Sequence, residues 1–291
     1  MTDRLFVFGV GFSSRAIIEN VRDQFDWIGG TTRSEEKAAQ LAEANISPIL
    51  FDGETASEEL LSALEQATHV LVSIAPNTSG DPVLNACRAA LQTAKPKWLG
   101  YLSTVGVYGN HDGAWVDEDT VCKPVSERSI QRVDAENAWL TFAEEAGTPV
   151  QIFRLSGIYG PGRNTFQNFK KGRARRLIKP GQVFNRIHVA DIAGAVKAAM
   201  ANPRTRIYNV TDDEPAPPQD VVTYAAELLG IEPPPEVPFE TADLSPMARS
   251  FYGENKRVSN ARVKSELGYQ FQYPSYRVAL PALYQSDVKP G

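Results

Sequence analysis

Three sets of residues carry types and spacing that could do chemistry: a pair of glycines near the start, a hydroxyl at position 104, and two arginines four apart. Gly9-Val10-Gly11-Phe12-Ser13-Ser14 follows an apolar run, Leu5 to Phe8, and precedes helix-like spacing at Ala16, Ile17 and Val21. A first glycine permits a tight turn, and a second lets main chain approach a pyrophosphate, whose oxygens then meet free amides at a helix N-terminus. Ser14 stands where the complete pattern has its third glycine, and it remains small enough for helix packing. About 20 positions further on, a carboxylate would hold a ribose 2′-hydroxyl. Here Gly29-Gly30-Thr31-Thr32-Arg33 occupies that place; Asp26 precedes the strand and Glu35 falls inside the next helix. A guanidinium beside two hydroxyls suits a 2′-phosphate instead. The residues imply NADP(H), with NAD(H) as the alternative, held by Gly9, Gly11, Phe12, Ser13, Ser14, Thr32 and Arg33.

The elements that must position these groups alternate along the chain. Apolar runs at 5–8, 48–51, 69–74, 98–103, 150–154 and 207–210, with another beginning at Trp27, read as buried strands. Helical spacing separates them at 13–24, 34–44, 56–67, 81–95 and 133–145. Such alternation predicts an α/β protein: a Rossmann-type, doubly wound parallel sheet with helices on both faces. The dinucleotide domain is placed at 1–210 and a smaller C-terminal substrate lobe at 211–291, with 163–184 contributing to that lobe. In such a sheet ligands sit outside the carboxyl ends of strands. Ser73 and Ala75 should therefore flank the cofactor, with Asp52 near its adenine. The four prolines within 232–238 predict a non-helical connector, and 286–291 a frayed tail.

Composition narrows the classes. A net charge of −5 gives no basic footprint for nucleic acid or a membrane surface. The opening apolar run, about five residues, is shorter than the roughly 7–15 of a secretory h-region, and no apolar run approaches a membrane span. Two cysteines, Cys87 and Cys122, and three scattered histidines form neither a disulfide framework nor a metal site. A cytoplasmic protein acting on a small molecule is expected; His69 and His111 are given no role.

Four motifs in order resemble the extended short-chain dehydrogenase/reductase superfamily, the NAD-dependent epimerase/dehydratase group: Gly9-x-Gly11, Ser103-Thr104-x-x-Val107-Tyr108-Gly109, the segment from Arg154 to Gly162, and Arg186-Ile-His-Val-Ala-Asp191. With its Gly-Thr-Thr-Arg second strand the chain is most similar to an atypical subgroup. The resemblance implies hydride-transfer chemistry, with Thr104 holding a substrate oxygen. It also implies a helix carrying Tyr-x-x-x-Lys with an acid four residues later. Aligning that acid to Glu136 puts Arg132 on the lysine position and Arg128 on the tyrosine position. Arg132 could hold ribose hydroxyls, but Arg128 cannot exchange a proton near neutral pH. Another donor (Tyr108, Tyr159 or His188) or a loss of catalysis, leaving a cofactor sensor, are both consistent with that departure. The two arginines could also receive a substrate carboxylate or phosphate. Arg163, Arg186 and Tyr108 are expected at the substrate. The basic run 170–176 resembles the place where relatives bind a diphosphate, and Arg257 is a similar candidate. The family further implies a homodimer packed through the 81–95 and 133–145 helices.

Overall fold

The computed structural model describes residues 3–288. Seven strands form one parallel sheet: β1 (Arg4–Phe8), β2 (Trp27–Thr32), β3 (Ser47–Leu50), β4 (His69–Val72), β5 (Trp98–Thr104), β7 (Val150–Leu155) and β11 (Arg206–Val210). Their spatial order is β11-β7-β5-β4-β1-β2-β3. The chain winds outward from β1 to β3, crosses back to β4, and then winds the other way. The carboxyl ends of β1 and β4 thus diverge, and that switch point is where an open sheet leaves a crevice for a ligand.

Burial on both faces explains why these strands read as continuous apolar runs. Leu5 and Val7 pack on one face with α1 (Phe12–Val21), α7 (Val189–Met200) and α10 (Ala261–Leu267). Phe6 and Phe8 point to the other face, against α3 (Glu58–Glu65), α4 (Pro82–Ala94) and α5 (Glu127–Ala146). Helix α2 (Glu35–Glu43) covers the β2–β3 side, and Leu41 joins the α1 face of the core. Helix starts are written in the sequence: the Ser34, Ser57, Asp81 and Ser126 side chains each accept a main-chain N–H of the first turn.

Beyond the sheet the strands pair in twos: β6 (Trp115–Val116) with β13 (Arg257–Val258), β8 (Gly157–Tyr159) with β10 (Arg186–His188), and β9 (Arg176–Ile178) with β12 (Glu236–Pro238). Helices α6 (Thr165–Lys170), α8 (Pro218–Leu229) and α11 (Tyr276–Asp287) share a second core through Phe166, Val221, Ala225, Tyr276, Leu280 and Leu283. A third cluster of Leu177, Ala242 and Tyr252 lies beside α9 (Pro246–Ser250).

Three expectations need correction. The proline-rich 232–238 stretch is not merely a connector, because its last three residues pair with β9. The segment at 286–287 is not frayed: α11 runs to Asp287, whose carboxylate accepts the Gly162 N–H at 2.8 Å and the Asn164 Nδ2 at 2.7 Å. Residues 289–291 lie outside the described residues. The chain after 210 also does not stay in the small lobe, since Val263 of α10 and its followers Tyr269 and Phe271 pack into the main core. Among the described residues no helix is long and apolar enough to cross a membrane.

Asp191 fastens α7 to the chain segment that leads from α10 to α11. Fully buried on α7, it accepts the Tyr269 hydroxyl at 2.8 Å and the Gln272 and Tyr273 amides at 2.6 and 2.9 Å. Replacing it leaves three donors without their charged acceptor. Asp191→Ala should therefore lower stability by about 3 kcal/mol, read from urea unfolding; an unchanged midpoint would contradict this role.

Candidate functional site

At the switch point the glycine turn is held by its neighbours and open to solvent. Gly9 has φ +83°, its amide donates to Thr31 Oγ1 at 2.8 Å, and its carbonyl accepts from Ser14 Oγ at 2.8 Å. Any side chain at Gly9 would be strained by that φ, while its Cβ would meet the main chain of Ser73 and Ile74 only at ordinary contact distance, 3.5 Å. Gly11 is the N-cap of α1 and supplies no side-chain cap; a Cβ there would meet nothing within 4 Å. The first amides of α1 thus have neither an intrahelical partner nor a side-chain cap, the arrangement that receives a phosphate.

Thr31 and Thr32 divide the work at the end of β2. Thr31, expected beside Arg33 at a 2′-phosphate, spends its hydroxyl on the glycine turn and is buried. Thr32 is buried at the strand end, and Arg33 is exposed beyond it. Ala75 is exposed after β4, and Ser73 is half-buried there. Asp52 is exposed, its carboxylate held below the ordinary range by the Glu54 amide it accepts at 2.8 Å.

The end of β5 rests on α5, which presents Ser129, Arg132 and Glu136 to it. Glu136 forms a buried ion pair with Arg154 of β7, Nη2 to Oε2 2.7 Å, and accepts Ser103 Oγ at 2.5 Å. Arg154 also donates to the Tyr108 hydroxyl at 2.9 Å, and that hydroxyl donates to Asn209 Oδ1 at 2.7 Å. Tyr108 is therefore not a substrate contact. It is wholly buried, and burial pushes its hydroxyl pKa up to about 12, with Arg154 opposing. Arg132 is half-buried and committed to the sheet, donating to the Leu102 carbonyl at 2.8 Å and the Tyr101 hydroxyl at 3.0 Å.

Arg128 does not occupy the tyrosine's place either: it is exposed, and the inward residue is its neighbour Ser129. A Cβ added to Gly106 would lie 3.1 Å from Ser129 Oγ and 3.4 Å from Thr104 Oγ1, so the two hydroxyls flank the same glycine. Thr104 Oγ1 accepts the Gly106 amide at 3.1 Å, which leaves its own O–H free to donate. Ser129 escaped the sequence reading because the motif spacing pointed to Arg128, its exposed neighbour. Its position three before Arg132 and seven before Glu136 was the signal.

A cavity of about 570 Å³ lies beyond the glycine turn and is not lined by it. Arg163, Arg186 and Lys171 supply its positive charge, with Tyr159, Phe184 and Tyr276 as aromatic wall. The link between cavity and turn is Arg163, whose guanidinium lies 5.6 Å from the centre of the Phe12 ring. The Tyr159 and Tyr276 hydroxyls are buried without a hydrogen-bond partner. His188 is N-cap to α7 through Nδ1, and burial takes its pKa down to about 4, so it is neutral and structural at its capping nitrogen. Much of the other basic charge is used locally. Arg175 donates to the Asp243 carbonyl, Arg176 pairs with Glu236, and Arg257 donates to the Gly113 carbonyl. Among the described residues no group of three or more His, Cys, Asp or Glu stands together to hold a metal.

A doubly wound parallel sheet with this turn at its switch point defines a Rossmann-type fold. The NAD dependent epimerase/dehydratase family model matches residues 7–211, and the chain belongs to that family, whose cofactor is a nicotinamide dinucleotide. A solved structure of a functionally unknown conserved protein from Silicibacter pomeroyi is similar at 48% identity, covering 98% of this chain and 99% of that one, with a TM-score of 0.91. Protein YeeZ of Escherichia coli K12 is 29% identical over 256 residues, 84% of this chain and 86% of its own. A 3-diazoavenalumate denitrifying reductase from Streptomyces sp. is 30% identical over 142 residues, 44% of this chain and 45% of its own.

The buried pair sets a testable cost. Glu136→Gln leaves Arg154 charged and unpaired, and should destabilise the protein by about 3–5 kcal/mol. Replacing both partners by methionine should recover much of that loss. Chemical unfolding of the three variants reads both effects; a double variant as unstable as Glu136→Gln would contradict the charge argument.

Proposed function

We propose that this protein is an NADP(H)-dependent oxidoreductase or epimerase acting on a carbonyl or hydroxyl of a small anionic substrate. The observation that carries this reading is the uncapped N-terminus of α1 at the switch point, with room at Gly11 for a phosphate oxygen. Arg33, exposed at the end of β2 with no carboxylate in its place, favours the 2′-phosphate form. The bound dinucleotide supplies hydride donation or acceptance; the chain supplies position and electrostatics. Thr104, with its hydroxyl oxygen already accepting from Gly106, donates its proton as a hydrogen bond to the substrate oxygen. Arg132 stiffens the end of β5 beneath it rather than holding ribose. Arg163 and Arg186 receive the substrate's anionic group in the adjoining cavity. This reading includes a cytoplasmic location. The reductase relative from Streptomyces supports hydride chemistry on this scaffold over the part of the chain it matches.

The alternative is a non-catalytic NADP(H) sensor. It is favoured by the absence of a tyrosine at position 128 or 129, which leaves hydride transfer to a carbonyl without the family's proton donor.

Arg33→Ala should weaken NADPH about tenfold or more while changing NADH little, in a fluorescence titration. Equal losses would remove the 2′-phosphate assignment. On a panel of anionic aldehydes, ketones and sugars, Thr104→Ala should lower turnover about 100-fold, the scale of one oxyanion donor. Tight NADPH binding with no turnover of any panel member would favour the sensor.

A further inference from the structure

One carboxylate ties α11 to the rim of the cavity. Asp287 is the last residue of that helix, and its Oδ2 accepts three donors from the other side of the cavity: the Gly162 N–H at 2.8 Å, Asn164 Nδ2 at 2.7 Å and Gln167 Nε2 at 3.5 Å. Oδ1 accepts the Ser286 hydroxyl at 3.1 Å. Gly162, Asn164 and Gln167 all line the cavity, and α11 itself adds Tyr276 and Leu280 to the wall. Helix stability does not call for an acid at this place. A carboxylate in the last turn faces the negative end of the helix dipole, where a cation would be favourable. Against the cost of burial, the Gly162 amide and the Asn164 side chain hold the Asp287 carboxyl below the ordinary range, so it is ionised at neutral pH.

Arg163 stands between two of these partners. It is exposed, so ordering its long side chain at a ligand costs rotamer freedom, and a fixed main chain keeps that cost down. Gly160 and Arg163 exchange both main-chain N–H···O bonds at 3.0 Å, which closes a tight turn. Asn164 is buried and braces that turn. It donates to the Gly160 carbonyl at 2.9 Å as well as to Asp287, and its Oδ1 accepts the Phe166 amide in the first turn of α6. The residues before and after Arg163 thus end on the same carboxylate oxygen. The turn delivers a guanidinium to the cavity wall, 5.6 Å from the centre of the Phe12 ring beside the glycine turn.

We propose that Asp287 is a positioning residue of the anion site: by fixing Gly162 and Asn164 to α11, it holds Arg163 where that side chain meets the substrate's anionic group. This rests on the reading that Arg163 receives that group. Hydrogen bonds to a charged acceptor are stronger than neutral ones, so three donors on one carboxylate make a firm tether. Without it the turn keeps its own two main-chain bonds but loses its attachment to the cavity's opposite wall. A ligand must then order the turn again as it binds, and that cost appears as lost affinity.

Benzoate is a suitable probe, since it carries one anionic group and its ring suits the aromatic wall. Calorimetry on the full chain should show Asp287→Ala weakening benzoate about tenfold, and Arg163→Ala weakening it at least as much. The double variant should bind no more weakly than Arg163→Ala alone, because Asp287 then has nothing left to position. The cycle can equally be run with Asp287→Asn, which removes the charge and keeps the size, and the same non-additivity is expected. Additive losses, or Asp287→Ala binding like wild type, would overturn the role of Asp287. Arg163→Ala binding like wild type, or no saturable benzoate binding by the wild type, would instead remove the anion site on which the proposal rests. Amide hydrogen exchange gives a reading independent of any ligand. In Asp287→Ala the segment 160–167 should lose protection while the central sheet keeps it. Unchanged protection at 160–167, or a loss spread through the sheet, would contradict a local tether.

Discussion

Glu136 and Arg154 are two charges removed from water together, and the floor of the site is arranged around their need for each other. Taking such ions into a protein interior costs several kcal/mol each, and their attraction offsets this only when geometry is good and the remaining lone pairs and protons are satisfied. Here they are. Ser103 and the guanidinium share the carboxylate, and Arg154 continues through the Tyr108 hydroxyl to Asn209. The Asn209 amide then donates to Glu118 at 2.7 Å. Strands β5, β7 and β11 and helix α5 are thereby fixed in one register. Thr104 sits one residue beyond Ser103, so its position follows from a bond its neighbour makes.

That closed network contrasts with the open groups above it. The α1 N-terminus has no side-chain cap, Arg33 is exposed, and the Tyr159 and Tyr276 hydroxyls are buried without partners. Buried polar atoms are ordinarily paired, so the two orphaned tyrosine hydroxyls on the cavity wall are consistent with a ligand there. The division is between residues that set geometry, which are satisfied, and residues that meet a ligand, which are not. Tyr108, Arg132 and Thr31 belong to the first kind, although their types suggested the second.

What could be read from the sequence was local. Gly9 and Gly11 between an apolar run and a helix gave the turn, and alternating segments gave the sheet, because strands buried on both faces are continuous apolar runs and amphipathic helices repeat on a short period. The Arg186-to-Asp191 motif marked a real joint, though not its partner Tyr269, 78 residues away. The rest depended on contacts across the chain. Nothing near Glu136 in sequence names Arg154, and nothing near Gly162 names Asp287. Ser129 was hidden because the motif spacing names only Arg128, four before Arg132, whereas a helix brings the residue three before to the same face. The β12 pairing was hidden because a strand of three residues between prolines carries too little pattern to distinguish it from a connector.

The central claim is that an NADP(H) site opens at the switch point and ends at Thr104, beside the anion cavity. A crystal structure of the protein grown with NADPH tests it most directly. The account predicts the pyrophosphate on the first amides of α1, the 2′-phosphate within hydrogen-bond reach of Arg33, and the nicotinamide at the end of β5 facing Thr104 and Ser129. Dinucleotide bound elsewhere, or a nicotinamide turned away from Thr104 with the 2′-phosphate free in solvent, would contradict it.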